Sequence, residues 1–367
     1  MSAELPEPWE KLFARGDENE IELPMRLLRR GGRAFLLLPN QARLAAKALD
    51  LYAAQTFRAR LAQTCLRLAL KAGVAPGLHR VTLRLALEDP FAAYLRRTAG
   101  AKDYETPPMA MLAGNPRTKG QRCTFLLFNS ENKPAAVVKA GSDEEAVRLI
   151  EHEENFLRNV PASTPSVPIL RSGHRSERVR ALAIDFFGGA PPRGDQMLMV
   201  EQVLSSWINT AGRAKVEDLP AWRRLHSCCA SSLPAPLNSL AAAEVCPAIF
   251  HGDFAPWNIK AHAGSWMLVD WERAELAGMP GWDWLHFVVQ PAILVEHAPI
   301  ATVVGRLEAL FESELFVRYA QLARIAALEK KLTLAYLHHC VAVLRQSEGL
   351  QQVEVLAAAV ERKWFAH

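Results

Sequence analysis

The chain has 367 residues, half of them hydrophobic and 22% charged, the make-up of a well-packed globular protein of two to three domains. A net charge of +4 is too mild to demand a nucleic acid or a membrane as partner. No apolar run reaches the roughly 20 residues of a membrane span. The opening Met1-Ser-Ala-Glu-Leu-Pro-Glu7 lacks an apolar signal core, so a cytoplasmic protein is expected.

Charge is unevenly spread. Arg26 to Arg97 carries 14 lysines and arginines against three acids, Asp50, Glu88 and Asp89, a net of +11, leaving −7 elsewhere. Such a stretch reads either as a patch for an anionic polymer or lipid surface or as a solvated helical face. The interspersed spacing favours the second. Within it, Leu44, Ala48, Leu51, Ala54, Leu61, Cys65 and Leu68 recur every three or four residues. The spacing predicts one long helix over 40–72, capped by Asn40 and ended by Gly73. Its apolar stripe is expected to dock on the rest of the chain or on a second copy. Residues 1–104 therefore read as a largely helical, basic extension. Six scattered cysteines form no C-x-x-C pair, which suits free thiols in a reducing compartment.

The texture changes near residue 105. Short apolar runs at 109–113, 123–128 and 135–140, separated by the turn-rich Gly114–Gly120 and by 129–134, predict three strands. Ser142 and Glu145 match a capping box, and a helix follows to about Asn159. Strands are expected again near 180–187 and 196–200. From 205 onward the pattern is mainly helical, including the tail from Pro299. The exception is a hairpin over 258–271 turning at Ala263-Gly264.

That hairpin carries the most informative spacing. In His251-Gly-Asp-Phe-Ala-Pro-Trp-Asn258, Asp253 precedes Asn258 by five positions, and Asp270 ends an apolar strand twelve residues later. A phosphoryl-transfer site needs one carboxylate to orient a hydroxyl and take its proton. It also needs hard oxygen ligands for Mg²⁺, and an amide carbonyl with a second carboxylate suits that ion.

The motif resembles the aminoglycoside phosphotransferase and choline kinase family. So does Val269-Asp-Trp-Glu272 followed by Gly281-Trp-Asp-Trp-Leu-His-Phe287. The resemblance is specific over about 40 residues, and in element order it covers 105–367. It implies an α+β, two-lobed protein-kinase-like fold: a small antiparallel-sheet N-lobe over 105–204 that binds nucleotide, and a mainly helical C-lobe over 205–367. The helical N-terminal region would be extra.

By the same resemblance Asp253 is the catalytic base, and Asn258 and Asp270 are the metal ligands. Lys139 holds the nucleotide phosphates and Glu153 pairs with it, with Glu151 and Glu154 as rivals on the same helix. Gly114 and Gly120 bracket the phosphate-covering turn, to which Arg117 and Lys119 could contribute. Glu201 to Leu204, Val203 included, falls where backbone groups would contact the adenine. Asp283 braces the loop from below, and His251 orients it.

The implied reaction is transfer of the γ-phosphoryl group of ATP or GTP, with Mg²⁺, to a small-molecule hydroxyl. Nine acids against six bases between Ser205 and Ile300 suit a sugar, amino sugar or amino alcohol. Two other readings stay open: a catalytically silent kinase-like binding protein, and a kinase acting on a glycan or a protein.

Overall fold

A computed structural model describes residues 6–14, 20–52, 54, 56–102, 105–115, 120–192, 196–229, 233–344 and 349–366. The chain forms two compact units, Met1–Arg158 with Pro168–Ala190, and Asn159–Val167 with Pro191–His367. No helix among the described residues is long and apolar enough to cross a membrane.

The first unit is built on one antiparallel sheet. Its elements run β1 (Glu20–Arg30), β2 (Arg33–Pro39), α1 (Ala42–Ala48), α2 (Phe57–Lys71), β3 (His79–Ala86), α3 (Pro90–Ala99), β4 (Met109–Leu112), β5 (Cys123–Phe128), β6 (Pro134–Gly141), α4 (Glu144–Asn159), β7 (Leu170–Arg175) and β8 (Arg180–Asp185). The strand order is β3-β1-β2-β4-β5-β6-β8-β7.

The apolar runs of β4 and β5 are buried on both faces, which explains why they do not alternate with polar residues. Met109, Met111, Phe125 and Leu127 join one core with Phe91 and Leu95 of α3 and with Trp9 and Phe13. Ala110, Leu126 and Phe128 join another with Leu44 of α1 and Leu70 of α2. Along a strand, alternate residues face opposite sides, so the same run fills both.

The expected domain boundary at 104 is corrected here. Residues 1–104 are not a separate helical extension, because β1, β2 and β3 belong to the same sheet as β4 to β8. The β1–β2 hairpin turns at Gly31-Gly32, both with positive φ, between the paired Arg30 and Arg33. Left-handed backbone at both central positions is what a two-residue hairpin turn demands. On β3, buried Leu83 and Leu85 alternate with exposed Arg84. That is a strand period hidden among arginines, and charge on an edge strand such as β3 discourages pairing with a further strand.

The single helix expected over 40–72 is two helices. Tyr52 is extended, and Thr56 starts α2, its hydroxyl accepting from the Ala59 N–H at 3.3 Å. Gln63 donates to the Leu49 and Tyr52 carbonyls at 2.7 and 2.8 Å, which satisfies the end of the first helical stretch. The break shifts the phase of the stripe: Leu44 and Ala48 are core, whereas Leu61, Cys65 and Leu68 are exposed. At α4 the cap is Asp143 rather than Ser142, its carboxylate accepting from the Ala146 N–H at 2.9 Å.

The second unit is mainly helical. It runs α5 (Met197–Ser206), β9 (Ala214–Lys215), α6 (Pro220–Cys229), α7 (Asn238–Ala241), β10 (Glu244–Val245), β11 (Ala248–Phe250), β12 (Ile259–His262), β13 (Ser265–Leu268), β14 (Glu275–Gly278), α8 (Trp282–Leu294), α9 (Ile300–Glu312), α10 (Glu314–Ala323), α11 (Glu329–His339) and α12 (Leu350–Phe365). The overall class is the α+β one expected, with an antiparallel sheet in one unit and mostly helices in the other. The strand expected at 196–200 is instead the start of α5, and the boundary expected at 205 would cut that helix.

His339 closes α11 in the core, with its ring 4.8 Å from that of Trp282. Among the described residues, neither ring nitrogen has a hydrogen-bond partner. Burial, reinforced by the charges of Arg224 and Arg273, pushes its pKa down to about 3. The unfolded chain takes this proton below about pH 6.5, whereas the folded chain refuses it until about pH 3. The stability carried by the neutral ring is therefore full above pH 6.5 and is lost as pH falls toward 3, by about 1.4 kcal/mol per pH unit in mid-window. Thermal melts should drop between pH 6.5 and 4, and a His339→Phe chain should drop less steeply. Parallel curves for the two chains would refute the assignment.

Candidate active site

The loop from His251 to Asn258 is held from several directions. The Asp283 carboxylate, in the first turn of α8, accepts from the backbone N–H groups of His251 at 2.8 Å and Gly252 at 3.1 Å. It thus serves as the brace expected of it. Burial raises its pKa to about 7, while the two backbone bonds act in the opposite direction. Gly252 has a φ of +79°, and a Cβ there would lie 2.8 Å from the Cβ of Arg273, so both conformation and space require glycine.

His251 is fully buried. Its Nε2 donates to the Val269 carbonyl at 3.0 Å, and its Nδ1 accepts from the Asp253 N–H at 3.2 Å. Those roles fix a neutral ring, and burial lowers its pKa to about 4. It ties the Asp253 backbone to the strand leading into Asp270, which makes it an orienting residue rather than a base.

Asp253 is gripped at both carboxylate oxygens. Nδ2 of Asn258 donates to Oδ2 at 2.9 Å and to the Asp253 carbonyl at 2.9 Å. Nε2 of His286 meets Oδ1 at 2.9 Å. Behind His286, the Tyr336 hydroxyl lies 3.0 Å from Nδ1, and Gln290 donates to that hydroxyl at 3.4 Å. Burial pushes the Tyr336 hydroxyl well above its usual pKa, so it stays protonated and donates to Nδ1, leaving Nε2–H to donate to Asp253. Burial alone would raise the Asp253 carboxyl, but the His286 hydrogen bond and the neighbouring charges outweigh it and hold it below its ordinary value. The Asp253 side chain keeps 29% of its surface exposed. The result is an ionised carboxylate of fixed orientation with access to solvent.

The hairpin forms as expected. β12 pairs with β13 from Ile259↔Leu268 to His262↔Ser265, turning through positive-φ Ala263 and Gly264. The Val269 N–H donates to the Asn258 carbonyl at 2.9 Å, so Asn258 and Asp270 stand at the open end of the hairpin. Asp270 has a φ of +68°, a conformation that aspartate and asparagine tolerate better than other side chains. Trp271 anchors the following turn, fully buried, with its ring 4.5 Å from His251.

With the Asn258 nitrogen committed to Asp253, Oδ1 is the atom it could offer a cation. An amide oxygen and a carboxylate are hard donors that fit Mg²⁺, which is commonly held by one or two protein ligands plus phosphate oxygens and water. Among the described residues, no group of three or more His, Cys, Asp or Glu is arranged to hold a metal.

In the first unit, Lys139 on β6 donates to both Glu153 oxygens, at 2.6 and 2.8 Å. Both side chains are buried, at 6% and 1% exposure. Glu153 lies one turn of α4 beyond Ile150, on the face that packs inward. The rivals are engaged elsewhere: Glu154 pairs with Arg158 and Arg180, and Glu151 with Arg175 at 3.1 Å.

Gly114 and Gly120 lie in the β4–β5 connection. A Cβ on Gly114 would meet the Arg122 carbonyl at 2.2 Å, and one on Gly120 the Glu145 side chain at 2.8 Å. Residues 116–119, with Arg117 and Lys119, lie outside the described residues. The expectation for Glu201 and Val203 is corrected. Both lie inside α5, and the Val203 carbonyl takes the Ser206 hydroxyl at 2.6 Å, so neither presents the open strand edge expected for reading an adenine. Instead, the Glu201 carboxylate takes the Ser205 hydroxyl at 3.4 Å and lies 3.9 Å from Arg318.

Sequence reasoning missed His286 and Tyr336. His286 was visible as the residue three positions after Asp283, on the same face of α8. Tyr336 is 50 residues further on, and only the folded chain brings it there.

No family model matches the chain, and no curated protein matches it. Solved structures do. A ternary complex of aminoglycoside phosphotransferase APH(4)-Ia with ADP and hygromycin B is 11% identical, with 75% of this chain and 98% of that one covered and a TM-score of 0.46. A candidate fructosamine-3-kinase from Haemophilus somnus 129PT is 12% identical, covering 74% and 96%, with a TM-score of 0.45. WbdD bound to a kinase inhibitor is 16% identical over 68% of this chain and 50% of that one, at 0.30.

Proposed function

We propose that this chain is a Mg²⁺-dependent phosphotransferase that moves the γ-phosphoryl group of ATP or GTP to a hydroxyl of a small molecule. The observation carrying this reading is the Asp253 carboxylate, clamped by Asn258 on one oxygen and His286 on the other while still reachable by solvent. Asp253 orients the acceptor hydroxyl and takes its proton as the new bond to phosphorus forms. His286 and Tyr336 hold that carboxylate in one rotamer, so little is lost to reorientation during reaction. Asn258 Oδ1 and Asp270 are the proposed ligands of Mg²⁺, which when bound neutralises phosphate charge. Lys139, kept in place by Glu153, is assigned to the phosphate oxygens. The excess of acids between Ser205 and Ile300 favours a polyhydroxylated or cationic acceptor such as a sugar, amino sugar or amino alcohol.

Calorimetric titration tests the metal assignment. Wild-type chain should bind ATP or GTP more tightly with Mg²⁺ than without. Asp270→Asn keeps the left-handed backbone preference and the side-chain size but removes a charge. It should lose ten- to a hundredfold of the Mg²⁺-supported affinity with an unchanged melting curve. Nucleotide affinity that ignores Mg²⁺ in the wild type would sink the assignment.

A further inference from the structure

One face of α2 is left exposed by the fold and plays no part in the phosphotransferase reading. Helical periodicity puts Ala59, Gln63, Leu66 and Leu70 on one side, and Leu66 and Leu70 pack into the core there. Phe57, Leu61 and Leu68 share the opposite side, with 74%, 54% and 60% of their surface exposed, and Val74 beyond the helix end is 59% exposed. Of these, the sequence pattern had marked Leu61 and Leu68 for burial.

Its flanks are basic. Exposed Arg58 borders the stripe on one side and exposed Arg60 and Lys71 border it on the other. The helix Phe57–Lys71 contains no acid. Arg67 is paired with Asp50 at 2.6 Å, whereas no ion pair involves Arg58, Arg60 or Lys71 among the described residues.

We infer that this face of α2 seats on an anionic lipid bilayer surface. Large apolar side chains flanked by unpaired cations match the boundary between acyl chains and negative headgroups, where a helix lies in the interface plane. A second copy fits less well, because an acid-free helix facing itself sets like charges together. The arrangement describes peripheral seating and not a span.

The test is co-sedimentation of the full chain with vesicles of phosphatidylcholine alone or mixed with phosphatidylglycerol. Binding is expected to the mixed vesicles only, and should weaken as salt rises. Leu61→Ser with Leu68→Ser should reduce it about tenfold or more. Arg58→Gln, Arg60→Gln and Lys71→Gln together should reduce it on the order of a hundredfold. All five positions are on the exposed face, and melting curves check that the variants stay folded. No sedimentation with the anionic vesicles at low salt would overturn the inference. So would variants that bind as well as wild type, or a dimer lost in Leu61→Ser with Leu68→Ser without any vesicle binding.

Discussion

Replacing Glu153 with leucine is expected to cost the first unit about 3–5 kcal/mol of stability, because it takes from the buried Lys139 ammonium the carboxylate that holds it. Lys139 sits in β6 between paired strands, with Val138 and Ala140 beside it fully buried. The Lys139 side chain is 6% exposed and its ammonium is bonded to both Glu153 oxygens, and a buried charge that loses such a partner costs free energy. The effect belongs to the buried charge left behind and not to the pair's own worth. Lys139→Met combined with Glu153→Leu should therefore recover to within about 1–2 kcal/mol of the wild type, as apolar replacements of buried pairs commonly do. Denaturant melts of the single and double variants give the cycle directly. If the recovered double variant also transferred phosphate at the wild-type rate, the pair would be structural and the assignment of Lys139 to the phosphates would be wrong. A Glu153→Leu chain as stable as wild type would show that Glu153 is not what holds the ammonium.

Asp253→Asn is expected to lower kcat by about 10²- to 10⁴-fold, the range in which a positioned general base acts. The change is nearly isosteric. Asparagine can accept from His286 through Oδ1, but its Nδ2 then faces the donating Nδ2 of Asn258, where the carboxylate had offered an acceptor. The cost of that donor–donor contact is on the order of 1–3 kcal/mol, enough to move the melting curve and too little to unfold the chain. Nucleotide affinity should hold, because Asn258 Oδ1 and Asp270 remain. A loss of kcat with little change in nucleotide binding separates a proton acceptor from a mere brace.

Much of this site was legible because its chemistry is crowded into one local stretch. The His251–Asn258 loop, the Ala263-Gly264 turn and Asp270 are fixed by short-range spacing, and the hairpin register follows from where the turn must fall. The central strands were readable for a related reason, since β5 and β6 are apolar runs bounded by turn residues. The edge of the sheet was not. β1 and β3 place arginines on their exposed side, so a period of two is diluted by long basic side chains. Thr56 broke a stripe that looked continuous, because a capping hydroxyl outweighs periodicity when the next helix is held by other contacts. Likewise, Glu201 and Val203 were placed by the resemblance, just past an expected strand, and the chain is helical there. His286 and Tyr336 escaped because their role depends on partners 33 and 50 residues away.

The central claim concerns chemistry at the Asp253 carboxylate, and transfer of labelled γ-phosphate tests it most directly. ATP and GTP, each with Mg²⁺, would be offered to wild type and Asp253→Asn with a panel of sugars, amino sugars and amino alcohols. The expected result is a phosphorylated acceptor from the wild type in step with nucleotide consumed, and almost none from the variant. Equal product from both chains, or none from the wild type with any hydroxyl acceptor, would contradict it.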